Sequence, residues 1–116
     1  VAKAYIAPYD SWQNRVAIAS FVRDIPLTEG HPSYSTLVAI EESLAALCLA
    51  DIPMLIAWGG RDFCFNESFY REWLQRFPQA QAHYFPDGGH YILEDEWPQL
   101  RLLISGFFRS ASPGVG

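Results

Sequence analysis

Residues 52–58, Ile-Pro-Met-Leu-Ile-Ala-Trp, form an unbroken apolar run that holds Pro53 near its start and meets Gly59-Gly60 at its end. An amphipathic helix would interleave polar residues; a short run with none reads as a strand buried on both faces, the condition of strands in a parallel sheet. Residues 80–86, Ala-Gln-Ala-His-Tyr-Phe-Pro, alternate and then turn apolar, which predicts a second strand. Between the two, Asn66 or Ser68 opens a helix that runs to about Phe77, with Phe69, Trp73, Leu74 and Phe77 on one side and Pro78 as its stop. Strand, helix and strand in this order are a βαβ unit, whose strands are parallel and whose crossover is right-handed as a rule.

The remaining segments read as helices. Asp10-Ser11 are N-cap types, and Trp12, Val16, Ala19, Phe21 and Val22 recur at helical spacing until Pro26. A loop with Gly30 and Pro32 follows. Ser33, Ser35 or Thr36 then caps a helix whose apolar positions Leu37, Ile40, Leu44, Leu47 and Cys48 step by three and four. A last helix is expected from about Pro98 to Arg109, Pro being welcome in a first turn, with Leu100, Leu103, Ile104, Phe107 and Phe108 on its buried side. Residues 111–116 are small and read as a flexible tail. No internal repeat is present. The order is helix, helix, strand, helix, strand, helix, an α/β class.

In a βαβ unit both strands end on the same edge of the sheet, and chemistry in open α/β sheets gathers beyond those carboxyl ends. Asp62 lies just past the first strand, in Trp-Gly-Gly-Arg-Asp-Phe, and His90 just past the second, in Phe-Pro-Asp-Gly-Gly-His-Tyr. A carboxylate and an imidazole brought together there can form the orienting half of a catalytic triad, the acid fixing the ring's tautomer and stabilising the imidazolium. Each alone has a blander explanation. An Asp after a glycine turn is usually a cap, and a His after Gly-Gly is usually structural. Their joint placement at two strand ends favours the catalytic pair.

Other candidates weigh less. His83, inside the second strand, reads as a side chain of the sheet, and His31 lies in a loop without a pattern around it. The acidic run Glu94, Asp95 and Glu96 suits the N-terminus of the last helix electrostatically. The aromatic set Trp58, Phe63, Phe65, Trp73 and Tyr91 is expected mainly in the core, with Phe63 and Phe65 able to face a pocket.

Composition narrows the function classes. Half of the 116 residues are hydrophobic and 16% aromatic, which demands a packed core. The net charge of −5, with dispersed arginines and one lysine, offers no footprint for nucleic acid. Cys48 and Cys64 share no metal-binding spacing, so neither a metal nor a cofactor is expected, and a reduced pair suits a cytoplasmic protein. No apolar run is long enough for a membrane span. The opening segment has no signal-peptide layout and no starting methionine.

The segment from Pro53 to Leu100, and above all its Gly-Gly-Arg-Asp-Phe and Asp-Gly-Gly-His-Tyr-Ile-Leu-Glu-Asp phrases, resembles the C-terminal part of α/β-hydrolase-fold enzymes of the haloalkane-dehalogenase-like branch. Residues 4–27 and the Gly-His-Pro-Ser-Tyr phrase at 30–34 are similar to the β-lactone decarboxylases of bacterial olefin biosynthesis. The resemblance implies the last two parallel strands of that fold with their flanking helices, an incomplete sheet. It implies that residues 1–32 end a cap region and its connecting helix, and that 33–110 are the C-terminal part of the core. Asp62 would be the triad acid and His90 the general base. Such enzymes carry a nucleophile, Asp or Ser, on a tight strand-to-helix elbow, and this chain has none; Gly30-His31-Pro32-Ser33-Tyr34 does not qualify, because Pro32 and the lack of a preceding strand argue against it.

Two buried-type strands do not make a stable open sheet alone. The chain is therefore expected to be a piece of a longer polypeptide, to pair with a separate chain carrying the missing N-terminal part, or to self-associate; the start without methionine favours the first. By itself it should be inert, with a small apolar substrate bound only by the complete protein. The alternative is a non-catalytic hydrolase-like module for binding or assembly.

Overall fold

The structure, a computed structural model, describes residues 2–50 and 52–111. The elements are α1 (Ala2–Ile6), a 3-10 turn (Ala7–Tyr9), α2 (Trp12–Arg23), α3 (Tyr34–Leu49), β1 (Leu55–Gly59), α4 (Glu67–Arg76), β2 (Gln81–Phe85), α5 (Ile92–Asp95) and α6 (Trp97–Ala111). They divide into two compact units, residues 1–43 and 44–116.

In the first unit the cap read from the sequence is present. Ser11 is extended, and its hydroxyl accepts the Asn14 N–H at 3.2 Å. Asn14 in turn donates to the Asp10 carboxylate at 2.7 Å, and the Arg15 Nε donates to the Tyr9 carbonyl at 2.8 Å. α2 stops at Arg23, and the Asp24 N–H closes its last turn on Ser20 and Phe21. No residue of α2 is buried: its apolar stripe, Trp12, Val16, Phe21 and Val22, faces outward. α3 begins at Tyr34, directly after Ser33.

The second unit holds the βαβ element, and its strands are parallel, with Leu55 opposite Gln81 and Gly59 opposite Phe85. β1 is shorter than the apolar run. Residues 52–54 stay outside the ladder because Pro53 has no N–H to donate and because β2 begins only at Gln81, whose N–H reaches back to the Met54 carbonyl at 2.9 Å. Nor is β1 buried on both faces. Ile56 and Gly59 are buried, while Leu55, Ala57 and Trp58 are half-buried, since β2 is its one strand partner among the described residues.

α4 is capped by Asn66, whose side chain accepts the Ser68 N–H at 2.9 Å, and it ends at Arg76 before Phe77 and Pro78. It crosses one face of the sheet. The ring of Tyr70 packs between Trp58 and Tyr84, register partners on that face, at centroid distances of 5.8 and 5.2 Å. The core of the unit is Ile56, Phe77, Phe85 and Leu100, one residue from each strand, the last from α6, and Phe77 from the end of α4. Cys48 and Cys64 are free thiols. α6 runs one residue earlier and two later than its periodicity implied. It therefore takes in Ala111, and the rest of the expected tail, residues 112–116, lies outside the described residues. The single turn α5 and the short α1 were not legible as helices, being too brief to show a period.

Candidate active site

β1 leads into a turn wound around a carboxylate. The Asp62 N–H closes on the Gly59 carbonyl at 3.2 Å, and the Asp62 Oδ1 then accepts the N–H groups of Cys64 at 2.8 Å and Phe65 at 2.9 Å. An aspartate that accepts the N–H groups two and three residues on is a common turn device; here it also fixes the orientation of the carboxylate. The far end of the turn is held by the Trp58 indole, whose Nε1 donates to the Phe65 carbonyl at 3.0 Å.

β2 leads into a second turn, Phe85-Pro86-Asp87-Gly88, with Pro at the position its fixed φ suits and the Gly88 N–H closing on the Phe85 carbonyl at 3.2 Å. The two turns are laced by their backbones: the Gly60 N–H donates to the Phe85 carbonyl and the Arg61 N–H to the Gly88 carbonyl, both at 2.8 Å. The glycines serve this close approach. A methyl group on Gly60 would stand 3.0 Å from the Pro86 Cα, a backbone atom of the second turn. Outside the lacing, Arg61 and Asp87 form an ion pair between exposed side chains.

The result joins Asp62 and His90, 28 positions apart, at one edge of the sheet. The His90 Nδ1 stands 3.0 Å from both Asp62 oxygens. The Asp62 side chain is 11% exposed and that of His90 31%. Burial pushes the Asp62 carboxyl up, but the Phe65 amide, the His90 ring and the Cys64 amide together hold it below its ordinary value. An ionised carboxylate can only accept, so Nδ1 carries the ring proton and Nε2 is left as the basic nitrogen. The arrangement can receive a proton at Nε2 and stabilise the charge that results.

Three aromatic rings surround the imidazole. The centroids of Phe63, Phe65 and Tyr91 lie 5.6, 5.7 and 5.5 Å from that of His90. Phe63 is 85% exposed and Tyr91 60%. The expectation that Tyr91 belongs to the core is therefore corrected, while Phe63 and Phe65 are exposed, as the alternative reading of those two allowed. All three follow the strand ends in sequence, Phe63 and Phe65 after β1 and Tyr91 after β2.

His83 is half-buried on β2. His31, in the first unit, bridges the Asp24 carboxylate, 3.3 Å from its Nε2, and the Ser33 N–H, 3.1 Å from its Nδ1. In the acidic run, Asp95 turns back to accept the Gly89 N–H at 2.8 Å. That contact was not legible, because it depends on α5 folding the chain over six residues. Among the described residues no group of three His, Cys, Asp or Glu side chains is placed to hold a metal ion, and no helix is long and apolar enough to cross a membrane.

Over 107 residues, 92% of the chain, the sequence is 45% identical to the cis-3-alkyl-4-alkyloxetan-2-one decarboxylase of Shewanella oneidensis. Over 107 residues it is 40% identical to the enzyme of the same name in Xanthomonas campestris pv. campestris. The resemblance to β-lactone decarboxylases read from the residues is thus borne out, an oxetan-2-one being a β-lactone. The chain spans only 33% and 35% of the length of these relatives. No family model matches the chain, and no solved structure matches it significantly.

Proposed function

We propose that this chain supplies the acid–base pair of an α/β-hydrolase-like enzyme that decarboxylates dialkyl β-lactones. The observation that carries the reading is the 3.0 Å contact between the Asp62 carboxylate and the His90 Nδ1 at the carboxyl ends of two parallel strands. The similarity to the two decarboxylases supports the substrate class. Loss of carbon dioxide from such a ring breaks the C4–O and C2–C3 bonds and leaves an alkene between C3 and C4, so the atoms balance without an added reactant. His90 acts as general base through Nε2, with Asp62 holding its tautomer.

In this reading residues 1–32 end a cap region and residues 33–110 form the C-terminal part of the catalytic core. The nucleophile, Asp or Ser, belongs to the remaining two thirds of the polypeptide, which also covers the unpaired edge of β1. The chain alone is inert. The test is His90→Ala in the full-length protein, assayed for alkene and carbon dioxide from a dialkyl β-lactone. Turnover should fall by several orders of magnitude while the thermal transition stays close to that of the wild type. Near-normal turnover would remove His90 from the chemistry.

A further inference from the structure

We propose that Asp95 is a positioning residue for His90, acting by fixing the peptide unit between Gly88 and Gly89. This rests on the reading of Asp62 and His90 as a proton-transfer pair. Both polar atoms of that peptide unit are engaged. Its carbonyl oxygen accepts the N–H of Arg61, the residue before Asp62, at 2.8 Å, and its N–H donates to the Asp95 Oδ2, also at 2.8 Å. The first bond ties the histidine's turn to the aspartate's turn. The second ties it to α5, the helical turn that begins two residues after His90.

The need for the second tie follows from the residues on either side. Gly88 and Gly89 have no Cβ, so no side chain of their own restricts φ and ψ on either side of the peptide between them. A flip would turn the Gly88 carbonyl away from Arg61 and break the bond that ties the turn before His90 to the turn that holds Asp62. The Asp95 carboxylate is the acceptor that opposes this rotation, and a hydrogen bond to an ionised acceptor is stronger than a neutral one. Its geometry is set by α5, in which the N–H groups of Glu94 and Asp95 both close on the Tyr91 carbonyl, at 2.8 and 3.1 Å. Asp95 lies outside α6, which begins at Trp97; its carboxylate serves the turn before His90.

The test compares Asp95→Ala with Asp95→Asn in the full-length protein. Readouts are kcat and KM for a dialkyl β-lactone, and the far-downfield proton resonance of the His90 ring N–H bonded to Asp62. Asp95→Ala should lower kcat on the order of tenfold or more, the scale of a small misplacement, with KM within about twofold. The downfield resonance should broaden or vanish. Asp95→Asn keeps an oxygen acceptor and should recover most of both. If Asp95→Ala does not accumulate as folded protein, Asp95→Glu replaces it and should fall between the wild type and loss. Wild-type kcat with an intact resonance in Asp95→Ala overturns the proposal, as does an Asp95→Asn protein that loses the resonance entirely. A full-length protein that turns over no β-lactone would refute the enzymatic reading, while the resonance comparison would still decide the role of Asp95.

Discussion

Gly59, the last residue of β1, lies so close to Gly89, the residue before His90, that a methyl group on it would stand 2.4 Å from the Gly89 carbonyl oxygen and 2.7 Å from that of Gly88. The neighbours are backbone and cannot rotate away as a side chain end would. Gly59→Ala must therefore push the two turns apart. We expect a loss of about 1–3 kcal/mol in chemical denaturation, the usual scale of overpacking, together with loss of turnover in the full-length protein. Gly106→Ala is the control. Nothing lies within 4 Å of its added methyl, it sits inside α6, and a helix interior gains about 0.5–1 kcal/mol from this change. Equal effects of the two substitutions would contradict the close-packed junction.

Asp62 makes a prediction in acid. Its folded carboxyl holds a proton less readily than an unfolded aspartate, whose value is about 3.9. As pH falls, the unfolded chain takes up that proton first, so the contribution of Asp62 to stability is full above about pH 4 and is lost as pH drops through the lower folded value. Asp62→Asn removes this component. Urea midpoints measured at pH 7 and pH 3 should differ less in the variant than in the wild type; an unchanged difference would argue against the lowered carboxyl.

The same substitution reaches the proposed chemistry by another route. An asparagine amide can donate to Nδ1, which would put the ring proton on Nε2 and leave no base there. Turnover by the full-length Asp62→Asn protein should fall by orders of magnitude, though less than in His90→Ala. Wild-type rates would mean that another residue orients the ring.

Trp58 links the sheet to the Asp62 turn through the hydrogen bond to the Phe65 carbonyl. Trp58→Phe keeps a ring against Tyr70 but removes the donor. It should cost about 1 kcal/mol in denaturation, the net value of one such bond. A variant as stable as the wild type would show that the bond does not hold the turn.

What the residues themselves determined is local and periodic. Ser11 and Asn66 cap helices because their side-chain oxygens reach N–H groups two or three residues on, and Pro78 ends α4 because the backbone before a proline avoids the helical region. The change from helical spacing to an apolar run announced β1, and a strand–helix–strand order dictates parallel pairing. Parallel pairing alone brings Asp62 and His90 to one rim. Tertiary structure decided the rest, because it depends on what lies across space. The ladder starts at Leu55 and not at Ile52, since register needs a donor on both strands and a partner opposite. Phe63 and Tyr91 stand exposed, since burial is set by neighbours and not by hydrophobicity. Asp95 reaches Gly89 only because α5 turns the chain back, a six-residue contact that follows no helical or strand period.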